Sequence, residues 1–98
     1  MAMRYTWDPK KNAANVRKHR ITFDAAVRAF ENFIVEGFDE RFEYDEIRET
    51  AIGFTNSLEI YIVFTEIPEE ERRITSARPA TREEREIYWN ARRRHDRG

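Results

Sequence analysis

An α+β fold is predicted from three observations. Leu58, Ile60, Ile62 and Phe64 alternate with Glu59, Tyr61, Val63 and Thr65, the period of a strand with one buried face. Phe23, Ala26, Val27 and Phe30 recur at i, i+3, i+4 and i+7, the period of an amphipathic helix. Thr81 and Glu84 form a T-x-x-E capping box at the opening of a third helical stretch. The order is a short strand, two helices, a three- or four-stranded antiparallel meander and a C-terminal helix.

Each element has a local cause. Arg4 to Trp7 is short and aromatic and reads as an edge strand. Asp8 can accept hydrogen bonds from the free amides of a first helical turn, and Pro9 at the next position has no amide hydrogen to lose, so a helix starts here and runs to the Lys18-His19 pair. Asn12, Asn15 and His19 share one face of it, with Val16 beside them. Lys11, Asn15 and Lys18 form an adjoining polar stripe suited to a polyanion. Thr22 caps the second helix, whose apolar stripe should face the sheet. Phe33 to Val35 reads as a short strand and the acidic run from Glu36 to Asp45 as a loop or frayed hairpin. Thr55-Asn56-Ser57 turns the strand ending at Phe54 into the alternating strand from Leu58. Arg72 to Arg78 is the last strand and Pro79 stops it. The final helix runs to about Arg93, leaving Arg93–Gly98 as a frayed tail.

The 98 residues suffice for one domain with a modest core, so residues 1–98 are read as a single unit. The absence of cysteine removes disulfides, thiolate catalysis and zinc–sulfur sites together, which fits a reducing cytoplasm. No apolar run reaches the length of a membrane span, so no membrane partner and a cytoplasmic location are expected. The net charge is −1, but its sign is uneven. Residues 1–20 hold six Lys/Arg against one Asp, residues 31–50 eight acids against two Arg, and the stretch from Arg78 seven Arg against four acids. Two basic ends around an acidic middle could place a phosphate-binding face opposite an acidic one, or simply solvate a small surface. Metal binding is not expected: the acids of residues 36–49 lack the glycine-centred spacing of a calcium loop, and the two histidines are far apart in sequence.

Four blocks in order resemble the BrnT family, the toxins of bacterial type II toxin–antitoxin pairs. Trp7-Asp8, Lys11-Asn12, Asn15 and Lys18-His19-Arg20-Ile21-Thr22-Phe23 are similar to the family's N-terminal signature, with Arg20 where the family usually has glycine. Glu46-Ile47-Arg48 through Ile52-Gly53 resembles its E-x-R-x-x-x-I-G strand, and Val63-Phe64-Thr65-Glu66 its V-x-x-T-E strand. Arg73-Ile74-Thr75-Ser76-Ala77-Arg78 through Ala80, with Glu84-Arg85 and Tyr88, resembles its closing pattern, while residues 67–71 make a longer turn than usual. The resemblance implies a RelE-like fold with helices against one face of the sheet. It also implies a ribonuclease that arrests translation and growth, and a co-encoded BrnA-type antitoxin. Ribbon-helix-helix dimers of that antitoxin bind operator DNA, so the toxin would touch DNA only indirectly.

Metal-independent RNA cleavage needs a base for the ribose 2′-OH, an acid for the leaving 5′-oxygen and fixed positive charge, with no cofactor. His19 can supply either proton transfer, or can simply cap the last carbonyls of its helix. Glu66 continues the buried parity of Leu58 to Phe64, so its carboxyl should be desolvated unless a cation answers it. Arg48, on the face of Ile52 and Phe54, and Arg78, on the face of Ile74 and Ser76, are candidates for that cation or for phosphate forks; a structural Arg–Glu network is the alternative. Tyr88 could donate to the phosphate or pack beside Ile87, and Ser76 is a further donor. The expected catalytic set is therefore His19, Arg48, Glu66, Arg78 and Tyr88. Lys11, Asn15, Lys18, Arg73 and Ser76 are expected to bind RNA, and the Arg92–Arg94 run adds unspecific charge or only solvates the tail. The competing function is a non-catalytic, toxin-like binding module that retains only the antitoxin interface.

Overall fold

The computed structural model describes residues 3–43, 46–68 and 70–97. Among them run β1 (Arg4–Thr6), α1 (Pro9–His19), α2 (Phe23–Phe30), β2 (Val35–Glu43), β3 (Glu46–Thr55), β4 (Leu58–Ile67), β5 (Glu71–Pro79) and α3 (Arg82–Arg97). The sheet order is β1-β5-β4-β3-β2; β2 to β5 form an antiparallel meander, and β1 lies parallel to β5 at the edge. No helix among the described residues is long and apolar enough to cross a membrane.

The helix starts follow the sequence signals. Asp8 accepts from the Lys10 amide at 2.8 Å with Pro9 at the first helical position. Thr22 accepts from the Ala25 amide at 3.1 Å. Thr81 and Glu84 complete the reciprocal box: the Glu84 amide donates to the Thr81 hydroxyl at 3.2 Å and the Thr81 amide to Glu84 Oε1 at 2.8 Å. Between β3 and β4 the two-residue loop has Asn56 at φ 51° and Ser57 at φ 62°, the left-handed pair whose twist matches a hairpin.

Three expectations change. The acidic run is mostly strand, because β2 pairs along β3 from Val35 opposite Ile52, whereas Phe33 and Ile34 precede it; Tyr44 and Asp45 lie outside the described residues. The helices cover both faces of the sheet. α2 packs Phe23, Ala26 and Ala29 on Ala51, Ile60, Ile62, Phe64, Ile74 and Ala77, while Tyr88 of α3 packs on Ile52 from the opposite side with Phe54, Tyr61 and Trp89. The tail is helical to Arg97, since His95 stacks on Phe33 at 4.7 Å and Arg92 lies over the Trp89 ring at 5.4 Å; Gly98 lies outside the described residues. Gly53 lets α2 approach the sheet closely, since a Cβ there would come within 2.8 Å of Ala29 Cβ.

Asn15 ties α1 to the sheet. β1 covers the outer edge of β5 only as far as Thr6 opposite Arg73, and beyond it the Asn15 carboxamide takes the place of a strand. Its Oδ1 accepts from the Ala77 amide at 3.2 Å and its Nδ2 donates to the Ala77 and Ile21 carbonyls at 2.8 and 2.9 Å. Asn12 Oδ1 accepts from the Phe23 amide at 2.9 Å, fixing the entry to α2. Between the two, Arg20 sits at φ 59°, ψ 29° and its amide closes α1 on the Val16 carbonyl at 2.8 Å. This left-handed cap is the conformation that glycine adopts without a Cβ penalty.

Two outcomes are expected in chemical denaturation. Asn15→Ala should cost about 2–4 kcal/mol, because buried backbone groups of Ala77 and Ile21 lose their partners. Arg20→Gly should raise stability by about 0.5–1 kcal/mol through relief of the left-handed penalty.

Candidate active site

The polar centre of the molecule is Arg72. Antiparallel pairing places it opposite Glu66 across the β4–β5 turn and β1 places Tyr5 beside it. Its Nε donates to Glu66 Oε1 at 3.2 Å, Nη1 to the Tyr5 hydroxyl at 3.3 Å and Nη2 to Glu36 Oε1 at 3.4 Å. Below it, the guanidinium carbon lies 4.8 Å from the Phe30 ring centre and 5.4 Å from that of Phe64. Tyr5 stacks on Phe30 at 5.3 Å, and Phe30 meets Phe64 edge-on at 5.1 Å, so three rings from β1, α2 and β4 fix the cation's floor. The Arg72 side chain is 15% exposed against 47% for Glu66. A fixed cation thus faces a solvent-reachable carboxylate.

Glu49 completes the group. It stands opposite Phe64 on β3, and with Glu36, Gly37, Glu66 and Arg72 it lines a depression of about 380 Å³. Its Oε2 is buried and has no hydrogen-bond partner among the described residues. Burial first, then the neighbouring Glu66 and Glu36 carboxylates, push the Glu49 carboxyl above the usual range; Arg72 opposes them only in part. Two carboxyl groups in contrasting environments therefore line one depression with a guanidinium: Glu66 is paired to it and exposed, while Glu49 is partly buried and not hydrogen-bonded to it.

The expected residues divide among separate places. Glu66 is in this depression, and the cation that answers it is Arg72 rather than Arg48 or Arg78. Arg78 does not share a face with Ile74. The register shifts between Val63 opposite Ser76 and Phe64 opposite Ile74, leaving Thr75 as an extra residue whose hydroxyl donates to the Val63 carbonyl at 3.1 Å. Past this bulge Ser76 and Arg78 face the α3 side. There Arg78 lies over the Tyr61 ring at 4.1 Å and grips Glu84 with both Nη atoms, at 2.8 and 2.9 Å. That fork holds the Glu84 carboxyl below its usual range and staples β5 to α3.

Tyr88 is 0% exposed and donates its hydroxyl to the Phe33 carbonyl at 3.1 Å, so it belongs to the packing alternative rather than to a phosphate contact. Asn15 likewise has both ends of its amide held by backbone. Arg48 alternates with Glu49 on β3 and so belongs to the other face of the strand. His19 lies half-buried in the last turn of α1, with Lys18 exposed beside it. Lys11 and Arg73 line a common depression with Thr6, Trp7 and Thr75.

Sequence reading missed Arg72, Glu49 and Glu36. Two of them were countable. Antiparallel pairing of β4 with β5 sets Glu66 opposite Arg72, and strand alternation that puts Arg48 beside Ile52 puts Glu49 on the side of Ala51 and Gly53. Glu36 was hidden because its segment read as a loop.

The sequence matches the family model described as ribonuclease toxin, BrnT, of type II toxin–antitoxin system over residues 7–84. Among solved structures, the fold is similar to the crystal structure of the Brucella abortus ribonuclease toxin BrnT. The TM-score is 0.62 at 25% identity, over 83% of this chain and 100% of that one. Comparison with curated proteins returned no match.

Glu49 should make stability depend on pH in a definite direction. Its folded carboxyl binds a proton more tightly than the unfolded one, so ionising it opposes folding once pH rises through the ordinary carboxylate range and on past its raised folded value. Glu49→Gln is therefore expected to be more stable than the parent at neutral pH and to lose that advantage below the ordinary carboxylate range. Urea midpoints measured across pH check it.

Proposed function

The chain belongs to the BrnT family of ribonuclease toxins of type II toxin–antitoxin systems, and from that membership we propose that it cleaves RNA at the Arg72 depression without a metal ion. The observation that carries this assignment is the contrast between Glu49, desolvated with its carboxyl raised, and Glu66, open to solvent and ion-paired to Arg72, both lining one depression with that arginine. Glu66 takes the proton of the ribose 2′-OH as that oxygen attacks phosphorus. The bond from phosphorus to the 5′-oxygen breaks, and Glu49 supplies the proton to the leaving oxygen. Arg72 stabilises the charge gathered on the phosphorane oxygens, and its aromatic floor means that no reorganisation is needed as that charge develops.

The physiological reading follows from the family. RNA cleavage arrests translation and growth in the cytoplasm, and a protein antitoxin of the BrnA ribbon-helix-helix type neutralises it and carries the complex to operator DNA. The RelE-like kinship of the fold belongs to the same reading. A non-catalytic module is favoured by one observation, that Asn15, Arg78 and Tyr88 are all engaged in structural contacts.

Purified protein is expected to degrade RNA in excess chelator. Glu66→Gln, Glu49→Gln and Arg72→Met should each lower the rate by about 10²-fold or more while circular dichroism stays unchanged. His19→Ala should stay within a few-fold of the parent. Loss of cleavage on chelation would refute metal independence, and full activity in all three variants would remove this pocket from the chemistry. Folded protein with no cleavage of any RNA would establish the binding module instead.

A further inference from the structure

We propose that the depression between the start of α1 and β5 is a subsite for one nucleotide of single-stranded RNA, in which Trp7 packs against the base and Lys11 and Arg73 hold its phosphates. The ligand class rests on the ribonuclease reading above; the site rests on its own geometry. The depression has a volume of about 400 Å³ and is lined by Thr6, Trp7, Lys11, Arg73, Ile74 and Thr75 together with the carboxylates of Asp8 and Glu71. Both carboxylates are already engaged. Asp8 caps the Lys10 amide at 2.8 Å, while Glu71 accepts from Arg4 at 2.7 Å and from the Thr6 hydroxyl at 2.8 Å. Those two hydrogen bonds, with further help from the Arg4 and Arg73 charges, hold the Glu71 carboxyl below its usual range.

The cations, by contrast, have no such partners. Lys11 and Arg73 are exposed, and neither forms a hydrogen bond or ion pair among the described residues. Trp7 is half-buried and packs edge-on against Phe23 at 6.2 Å, so an aromatic surface meets, in one concavity, two cations that make no hydrogen bond or ion pair among the described residues. A phosphate and an unstacked base together satisfy such a site, whereas a duplex keeps its bases stacked away from it. An acidic peptide would satisfy the charges but not the ring. Arg72 and Arg73 are consecutive on β5 and point to opposite sides of it, so the subsite lies across one strand from the Arg72 pocket.

Trp89→Phe leaves Trp7 as the only indole, and its fluorescence can be titrated with a short 2′-O-methyl oligouridylate, which cannot be cleaved. Saturable quenching is expected. Lys11→Ala and Arg73→Ala should each reduce the slope of log affinity against log salt by about 0.7, and Trp7→Ala in the parent should weaken binding about tenfold. If Trp89→Phe does not fold, the Trp7 indole N–H resonance of the parent chain gives the same readout. Absence of any response, a response unaltered by both cation substitutions, or equal binding of duplex RNA or polyglutamate would overturn the subsite. Because the oligonucleotide is uncleavable, loss of this binding is separable from failure of the Arg72 chemistry, which is read from cleavage in variants that keep Lys11 and Arg73.

Discussion

One buried carboxamide sets the relation between the N-terminal third of the chain and the sheet. Beyond Thr6 the outer edge of β5 has no strand partner among the described residues, and a backbone amide and carbonyl left there without hydrogen bonds would destabilise the fold. Asn15 meets both groups of Ala77 and at the same time the carbonyl of Ile21, so a single side chain closes the sheet edge, seats α1 and anchors the link into α2. Aspartate or leucine could not do this. Asp lacks the two donors and Leu lacks every polar atom. The position of α2, and through Phe30 the floor beneath Arg72, follows from that anchorage.

β5 performs two tasks because it is not regular. The extra residue at Thr75 reverses the side-chain parity, so Arg72 and Ile74 face α2 while Ser76 and Arg78 face α3. Without that shift both arginines would lie on one face and compete for the same carboxylates. With it, Arg78 is committed to Glu84 and the attachment of the last helix, and Arg72 is left to organise Glu36, Glu49 and Glu66. The burial that raises the Glu49 carboxyl costs stability, which is common where a residue is kept for chemistry and not for the fold.

The α+β class, the capped helix starts, the Asn56-Ser57 turn and the meander were legible because each rests on local rules: a polar cap, a period, a turn pair. The left-handed cap at Arg20 was flagged by the glycine expected there, although its geometry had to be seen. What sequence could not supply was long-range. Asn15 looked like an RNA ligand because an exposed and a buried asparagine are identical in a helical stripe. Arg78 was assigned to the wrong face because a bulge adds one residue without a sequence signature. Glu66 does meet a cation, but it stays exposed rather than desolvated, and the choice among several arginines depends on the β4–β5 register. Glu36 was lost because an acidic strand at a sheet edge looks like a loop.

The most direct test of the central claim is the pH dependence of single-turnover RNA cleavage by the purified chain in chelator. The account predicts a bell-shaped profile in which the alkaline limb reports the raised Glu49 carboxyl, and in which His19→Ala keeps both limbs in place. A profile without that limb, or one whose shape is abolished by His19→Ala, would contradict the assignment of the proton transfers to the carboxyl pair around Arg72.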